Sequence, residues 1–398
     1  MHELFIPLAV MLSPRGLTLA GNGAGQGGIV FAGLLILMAV LSLRSARSMG
    51  MLTSYDFKYA NEVCPFIVGV LDSARVFALG AILVSSLGIA GYAVNEVFAL
   101  WFPNLGASFL ILALAVSACF LPVGKGRYVF IGSLGISVCS FLYVAFMTTQ
   151  VSEPGFAGPW DVVPAGGITS WLNIIFLAVL AFIGFDLAFK SKLRDNPSLP
   201  SIVVTALAFI LFLWGALLIV SPDKIADSYV AHFKVARIAL GSTGRILMAI
   251  TVVLGTFAAT FGVFRVLGSR LANRMCKGES QSRKIVGTIL AVTVGGAMAT
   301  GWAGEPALDS LIAAGLSFWF IGYALVDLVD VIASRKAGLF PFLSALAFVF
   351  HVFAAIMSFH LAEFQSYFGA AFGGMLLVSF VFAILRIMKK DSPSTAEQ

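Results

Sequence analysis

Apolar residues in this chain come in runs of about 18 to 25, the length a helix needs to cross ~30 Å of hydrocarbon at 1.5 Å per residue. Inside lipid a run of that kind has no water to bond with, so a helix is the form that satisfies every N–H and C=O within the segment. Twelve such runs are read along the sequence, at 4–21, 26–43, 67–95, 105–121, 127–148, 171–189, 200–220, 243–268, 285–302, 308–333, 340–360 and 367–388. The expected fold class is an all-α polytopic membrane protein with about 12 transmembrane helices. Of the 398 residues 60% are apolar and 11% charged, against ~25% charged in an ordinary soluble domain. The longest stretches between runs, 44–66, 151–170 and 221–242, are too short for a separate soluble domain. Whatever chemistry the chain performs is therefore expected among its helices.

Charge sets the expected orientation. A formal net charge of +6 is explained by the excess of Lys and Arg in cytoplasmic loops, without a nucleic-acid partner. With the N-terminus inside, eighteen of the 25 basic residues fall on the inner side and four on the outer, Lys224, Lys234, Arg237 and Arg245. Arg15, Arg75 and Arg265 lie within runs. Both termini are thus expected in the cytoplasm, with the chain in a plasma membrane, a bacterial inner membrane. The first apolar run follows Met1 without a basic stretch or a small-residue cleavage site, so the first helix is expected to stay. Cys64, Cys119, Cys139 and Cys276 form no CxxC pair and His2, His232, His351 and His360 are scattered, a pattern of free thiols with no metal site.

Two runs are interrupted. The first carries "MLSPRGLTLAGNG", where Pro14 and Gly16 flank Arg15 and a continuous helix is disfavoured. The sixth carries "LAFIGFDLAF", with Gly184 and Asp186 deep in an apolar stretch. Interruptions five helices apart, on helices of opposite direction, are what a five-plus-five inverted repeat requires, with a binding site near the midplane. The corresponding domains are 1–150 (helices 1–5), 151–336 (helices 6–10), 337–390 (helices 11 and 12) and a disordered tail at 391–398. In the connection 221–242, Tyr229, Phe233, Ala236, Ala239 and Leu240 are spaced as one face of a short amphipathic outer helix.

Several polar side chains at membrane depth call for a reason, because a buried charge costs roughly 2.5–3.5 kcal/mol on insertion scales. Asp186 either attracts a substrate cation or coupling proton, or accepts bonds from backbone amides freed by the break. Arg15 holds an anion together with those amides, pairs with Asp186, or snorkels to an interface. Asp72 and Arg75 lie three apart, as do Asp327 and Asp330, spacings that suit pairing on a helix face or at an inner gate. A protease reading of the two aspartates fails because such carboxylates come from different helices. Thr256 and Thr260 stand one turn apart, which fits sodium ligands and helix packing equally. Trp319 and Tyr323, in "FWFIGY", either cap a pocket or pack. No nucleophile–base pair, metal cluster or cofactor loop can be assembled, so an enzyme is not expected.

The passage "FIGFDLAFKSKLRDNPSLPSIVV" resembles the Phe-x-Gly-Phe-Asp/Glu break of the amino acid–polyamine–organocation permeases, with its following Asn-Pro and second Pro. "YANEVCPFIVGVL" resembles that family's third-helix entry, and "GTFAATFGVFRVLGSRLANRMCKGE" its eighth helix and inner loop. The resemblance implies an inverted-repeat fold with broken helices 1 and 6. It implies a substrate held at Ser13 and Gly16 in the first break and at Phe182, Ile183, Gly184, Phe185 and Asp186 in the second, with Arg15 a candidate on its own chemistry. It also implies secondary active transport of an amino acid or related small amine or organic acid by alternating access, without a cofactor and with coupling to Na+ or H+. Where that family has Gly-Ser/Thr-Gly, this chain has "SPRG", which removes a backbone donor at Pro14 and adds a cation at Arg15. That departure favours an anionic substrate or a site partly filled by Arg15. The alternative is a non-transporting membrane sensor or assembly partner that retains the fold.

Overall fold

A computed structural model describes residues 5–54, 65–151, 162, 167–188, 198–226, 228–274, 279–301, 305–333 and 338–391. Among them every regular element is helical. In chain order these are α1 (Ile6–Met11), α2 (Pro14–Ser54), α3 (Pro65–Val97), α4 (Asn104–Cys119), α5 (Val123–Gln150) and α6 (Ile168–Leu180). After a 3-10 turn at Phe185–Ala188 follow α7 (Leu199–Ile219), α8 (Pro222–Ile225), α9 (Ala231–Arg274), α10 (Glu279–Ala299), α11 (Pro306–Ala333), α12 (Leu339–His360) and α13 (Gln365–Asp391).

Nine of the described helices are long and apolar enough to cross a membrane. Asn104–Cys119 and Gly287–Ala299 are apolar but shorter. The chain is an integral membrane protein, and the described residues of the twelve apolar runs are mostly helical, with interruptions in the first and the sixth. Two of the long helices are bent by glycines whose backbone a side chain would not tolerate. Gly28 (φ 49°, ψ −129°) turns α2 between the first and second runs. Gly241 (φ 60°, ψ −135°) separates the outer segment 231–240 from the eighth run within α9. The second run extends further than its apolar residues suggest, because α2 continues to Ser54 through a stretch expected as connection. Arg, Ser and Met in "LRSARSMGM" form helix readily once the preceding turns exist.

The outer segment 231–240 is helical, and of its expected apolar face Ala236 is buried and Phe233, Ala239 and Leu240 are half-buried, while the buried side is centred one residue earlier. Ala231, His232, Val235 and Ala236 are buried and Tyr229 is exposed. Small residues decide the rotation: Ala231 sits against Gly21 of α2, and the Ala226 backbone against Gly25. Thr18 Oγ1 donates to the Tyr229 carbonyl at 2.9 Å, which points the Tyr229 backbone, and not its ring, at α2.

The chain forms two compact units. The first comprises Met1–Leu43, Ile82–Ala188 and Pro197–Gly304. In it α5 lies against α9, where Ser137 Oγ donates to the Thr251 carbonyl at 2.8 Å, and against α7, where Gly215 leaves room for Thr148. The second comprises Arg44–Ala81, Phe189–Asn196 and Glu305–Gln398. There Gly315 and Gly322 of α11 receive Ala78 and Leu71 of α3, and Ser317 Oγ donates to Ala355 O of α12 at 2.9 Å. Arg75 Nη1 bonds Asp72 Oδ1 at 3.0 Å, the expected pair three residues apart. Cys119 and Cys139 are free thiols. Cys64, Cys276, Asn196, Pro197, Arg335, Lys336 and the tail beyond Asp391 lie outside the described residues.

Candidate functional site: two interrupted helices

The first interruption spans only Leu12 and Ser13. Helix α1 closes with Leu12 N–H donating to Leu8 O at 2.9 Å and Ser13 N–H to Val10 O at 3.2 Å. Pro14 then opens α2, a position where its missing N–H costs nothing. The Leu17 N–H donates to Ser13 O at 3.0 Å, so α2 winds up directly from the break. Gly16 is required there by contact, since a Cβ would stand 1.8 Å from the Met11 carbonyl oxygen. All six residues of α1 are buried. An apolar helix of this length is held by its neighbours, being too short to persist alone.

The second interruption follows α6. Ala181 N–H donates to Leu177 O, Phe182 N–H to Val179 O and Ile183 N–H to Leu180 O, a tightening from α to 3-10 geometry. Gly184 then adopts φ +91°, a conformation that L side chains avoid. The chain resumes as the 3-10 turn that carries Phe185 and Asp186. Ser198 Oγ donates to the Phe185 carbonyl and so ties the start of α7 to the break.

These two breaks meet in the first compact unit. The nearest atom to a Cβ built at Gly184 is Val10 Cγ1 of α1, at 3.2 Å. Helix α1 also lies along a glycine face of α9, where a Cβ at Gly262 would stand 3.3 Å from Ile6 and one at Gly255 3.8 Å from the Leu12 carbonyl. Ser13 is buried, as are Phe182, Ile183, Phe185 and Asp186, the last wholly so. Arg15 is half-buried and its Nη1 donates to Ser85 Oγ of α3 at 3.4 Å.

Thr256 and Thr260, one turn apart on α9, are 0% exposed and both hydroxyls lack a hydrogen-bond partner. Thr18 and Thr251 each donate to the carbonyl four residues back, whereas Thr205 on α7 is buried without a partner like these two. Two neighbouring buried hydroxyls without a partner are the kind of polar group that calls for a ligand. Trp319 and Tyr323 belong to the second unit, where they pack with ring centroids 6.0 Å apart and Tyr323 lies 5.1 Å from His351. Both rings are buried, and Trp319 Nε1 has no hydrogen-bond partner.

Of the residues expected in the first break, Ser13 lies in it while Arg15 and Gly16 belong to the first turn of α2, and three supports of the site were missed: Val10, Ser198 and the Gly255–Gly262 face. The glycines were visible as "LGTFAATFG", a small-residue face suited to close helix contact. Nothing local marks Val10 or Ser198.

Neither a family model nor a curated protein sequence matches this chain. Solved structures do. A protein called MhsT, in complex with L-phenylalanine, superposes with a TM-score of 0.62 at 15% identity, covering 90% of this chain and 98% of that one. A variant of the Eremococcus coleocola manganese transporter superposes at 0.60 and 13% identity, covering 97% of this chain and 93% of that one. The same transporter bound to an aromatic bis-isothiourea compound gives 0.57 at 12% identity, with the same coverage. The chain therefore shares their polytopic, inverted-repeat fold over nearly its whole length, and identities this low speak to fold alone.

Proposed function

We propose that this protein is a secondary active transporter of the amino acid–polyamine–organocation type, moving an amino acid or related small amine or organic acid by alternating access. The single observation that carries the reading is the meeting of the two breaks through Val10 and Gly184. Interrupted helices leave backbone amides and carbonyls that a small zwitterion or anion can use. The proposed substrate residues are Ser13, Arg15 and Gly16 with Phe182, Ile183, Gly184, Phe185 and Asp186. Arg15, in the first turn of α2 just past the break, brings a cation, which suits a carboxylate. A divalent metal, the cargo named for the structurally similar manganese transporter, would meet a guanidinium in that place instead of an anionic ligand.

The orphan hydroxyls of Thr256 and Thr260, one turn apart on α9, support sodium as the coupling ion. A hard cation takes hydroxyl and carbonyl oxygens of this sort, and no proton need move. Both termini are assigned to the cytoplasm on the distribution of Lys and Arg, and the repeats to 1–150 and 151–336.

A thermal-shift screen of the purified protein against amino acids, polyamines and small carboxylates tests the reading. A ligand at 100 times its Kd adds ~2.7 kcal/mol to stability. The expected result is a carboxylate-bearing hit that Arg15→Ala loses, with saturable uptake in proteoliposomes that Gly184→Leu abolishes. Binding without uptake would indicate a sensor that keeps the fold, and silence across the panel with folded protein would overturn the substrate class.

A further inference from the structure

In the second compact unit two arginines of α2 converge on a single ring of α12. The guanidinium carbons of Arg44 and Arg47 each stand 5.5 Å from the centroid of Phe340. Their surroundings differ. Arg44 is buried, pairs with Asp330 and donates from Nε to Ser344 Oγ at 2.7 Å, and Ser344 Oγ in turn donates to Asp330 Oδ2 at 2.6 Å. Arg47, about one turn further along the same helix, is exposed. Among the described residues it makes neither a hydrogen bond nor an ion pair.

Charge counting shows what this cluster lacks. Arg44 and Asp330 cancel, so Arg47 leaves it with one uncompensated positive charge. Like charges three residues apart on one helix repel, and the Phe340 ring attracts both cations through its face without offering either an oxygen acceptor. The ring therefore fixes where the Arg47 charge sits and does not neutralise it. Depth is set by the apolar runs. The second run ends at residue 43, which puts Arg47 four residues, or ~6 Å, beyond it along the helix. The eleventh run begins at Phe340 itself. The ring thus marks the edge of the hydrocarbon, and the guanidinium stands at headgroup height. Leu339, Phe340 and Phe342 are all exposed at the start of α12, an apolar border directly below the charge.

We propose that Arg47 and Phe340 form a binding site for an anionic phospholipid, with the guanidinium on the headgroup phosphate and the exposed side chains of Leu339, Phe340 and Phe342 against the upper acyl chain. Paired guanidinium N–H groups match two phosphate oxygens as a fork. A lipid of net negative charge supplies the one charge the cluster lacks. A zwitterionic lipid carries its own cation beside the phosphate and is the poorer match. Arg44, held by Asp330 and Ser344, is a positioning residue that keeps the Phe340 ring under Arg47. Occupancy relieves the repulsion between the two arginines, so the lipid stabilises the contact of α2 with α12.

Full-length protein in a neutral detergent is titrated with phosphatidylglycerol and, separately, with phosphatidylcholine of the same acyl chains. Bound lipid is read by native mass spectrometry, with the melting temperature alongside. The parent protein should bind phosphatidylglycerol more tightly than phosphatidylcholine and melt higher with it. Arg47→Gln should weaken phosphatidylglycerol binding about fivefold, the weight of one basic residue at an anionic membrane surface. Arg47→Lys, which keeps the charge and loses the fork, should lose less, and Phe340→Ala should weaken binding too. Arg245→Gln is the control, because that arginine already pairs with Glu96 at 3.0 Å in the other unit, and it should leave binding unchanged. Equal affinity of the parent for both lipids, or a preference that survives Arg47→Gln, overturns the proposal. Displacement of the lipid by glycerol 3-phosphate at the same concentration would assign the site to a free phosphate and overturn the lipid. Should Arg47→Gln fail to fold, Arg47→Lys and Phe340→Ala decide. No transported solute enters the assay, so its failure and the failure of the transporter reading are separately visible.

Discussion

Replacing Gly16 by alanine sets the geometry of the first break against helix propensity. A Cβ at Gly16 would lie 1.8 Å from the Met11 carbonyl oxygen and 2.9 Å from the Met11 carbonyl carbon. A carbon rests no closer than about 3.3 Å to such an oxygen, so α1 and α2 must separate by about 1.5 Å. The obstacle is backbone and cannot rotate away, which puts the cost toward the upper part of the ~1–3 kcal/mol range for overpacking. Gly33 in the same helix is the control, because nothing lies within 4 Å of a Cβ there. At that site alanine brings only its propensity advantage of ~1 kcal/mol over glycine. That gain is largely common to both variants and cancels in their difference, leaving Gly16→Ala less stable by ~1–3 kcal/mol. Thermal unfolding of the two purified variants beside the parent protein, read by fluorescence-detected size exclusion, measures the difference. Equal melting temperatures for Gly16→Ala and Gly33→Ala would refute the close approach of Met11 to Gly16.

Burial pushes the His232 imidazole in the outer segment 231–240 down from 6.5 to about 3, and neither ring nitrogen has a hydrogen-bond partner. Between those values the unfolded chain binds the proton and the folded one does not, so stability is full above pH 6.5 and falls as pH drops, by about 2 kcal/mol at pH 5. His232→Leu should remove that part of the acid sensitivity, and parallel loss of melting temperature in parent and variant between pH 7.5 and pH 5 would contradict it. The Arg245–Glu96 pair is different in kind: its N–O distance is 3.0 Å but the side chains are 31% and 44% exposed. Arg245→Ala should cost less than ~1 kcal/mol, an effect that added salt erases; a larger loss in unfolding experiments would mean the pair is shielded from solvent.

What the sequence by itself determined is what lipid forces residue by residue. Run length and the absence of water make each of the twelve segments a helix. Pro14 and Gly184 mark the breaks because one lacks an N–H and the other alone tolerates φ +91°. The three-residue spacing of Asp72 and Arg75 sufficed to pair them, since both lie on one helix.

Contacts between segments were another matter. Helices apolar on every side carry little signal about which face meets which neighbour. Asp327 and Asp330 shared a spacing but not a fate: Asp330 went to Arg44, 286 residues away in sequence, and Asp327 to Ser45 and His351. Thr256 and Thr260 look like any small polar pair until the burial of both hydroxyls without a partner is seen. His232, on a helix whose expected apolar face left it out, is fully buried because Gly21 and Gly25 admit the Ala231 side chain and the Ala226 backbone on that side. Local chemistry chose the helices and their breaks; only tertiary packing, which brings distant polar atoms out of water together, decided which of them have partners and which are left to bind something else.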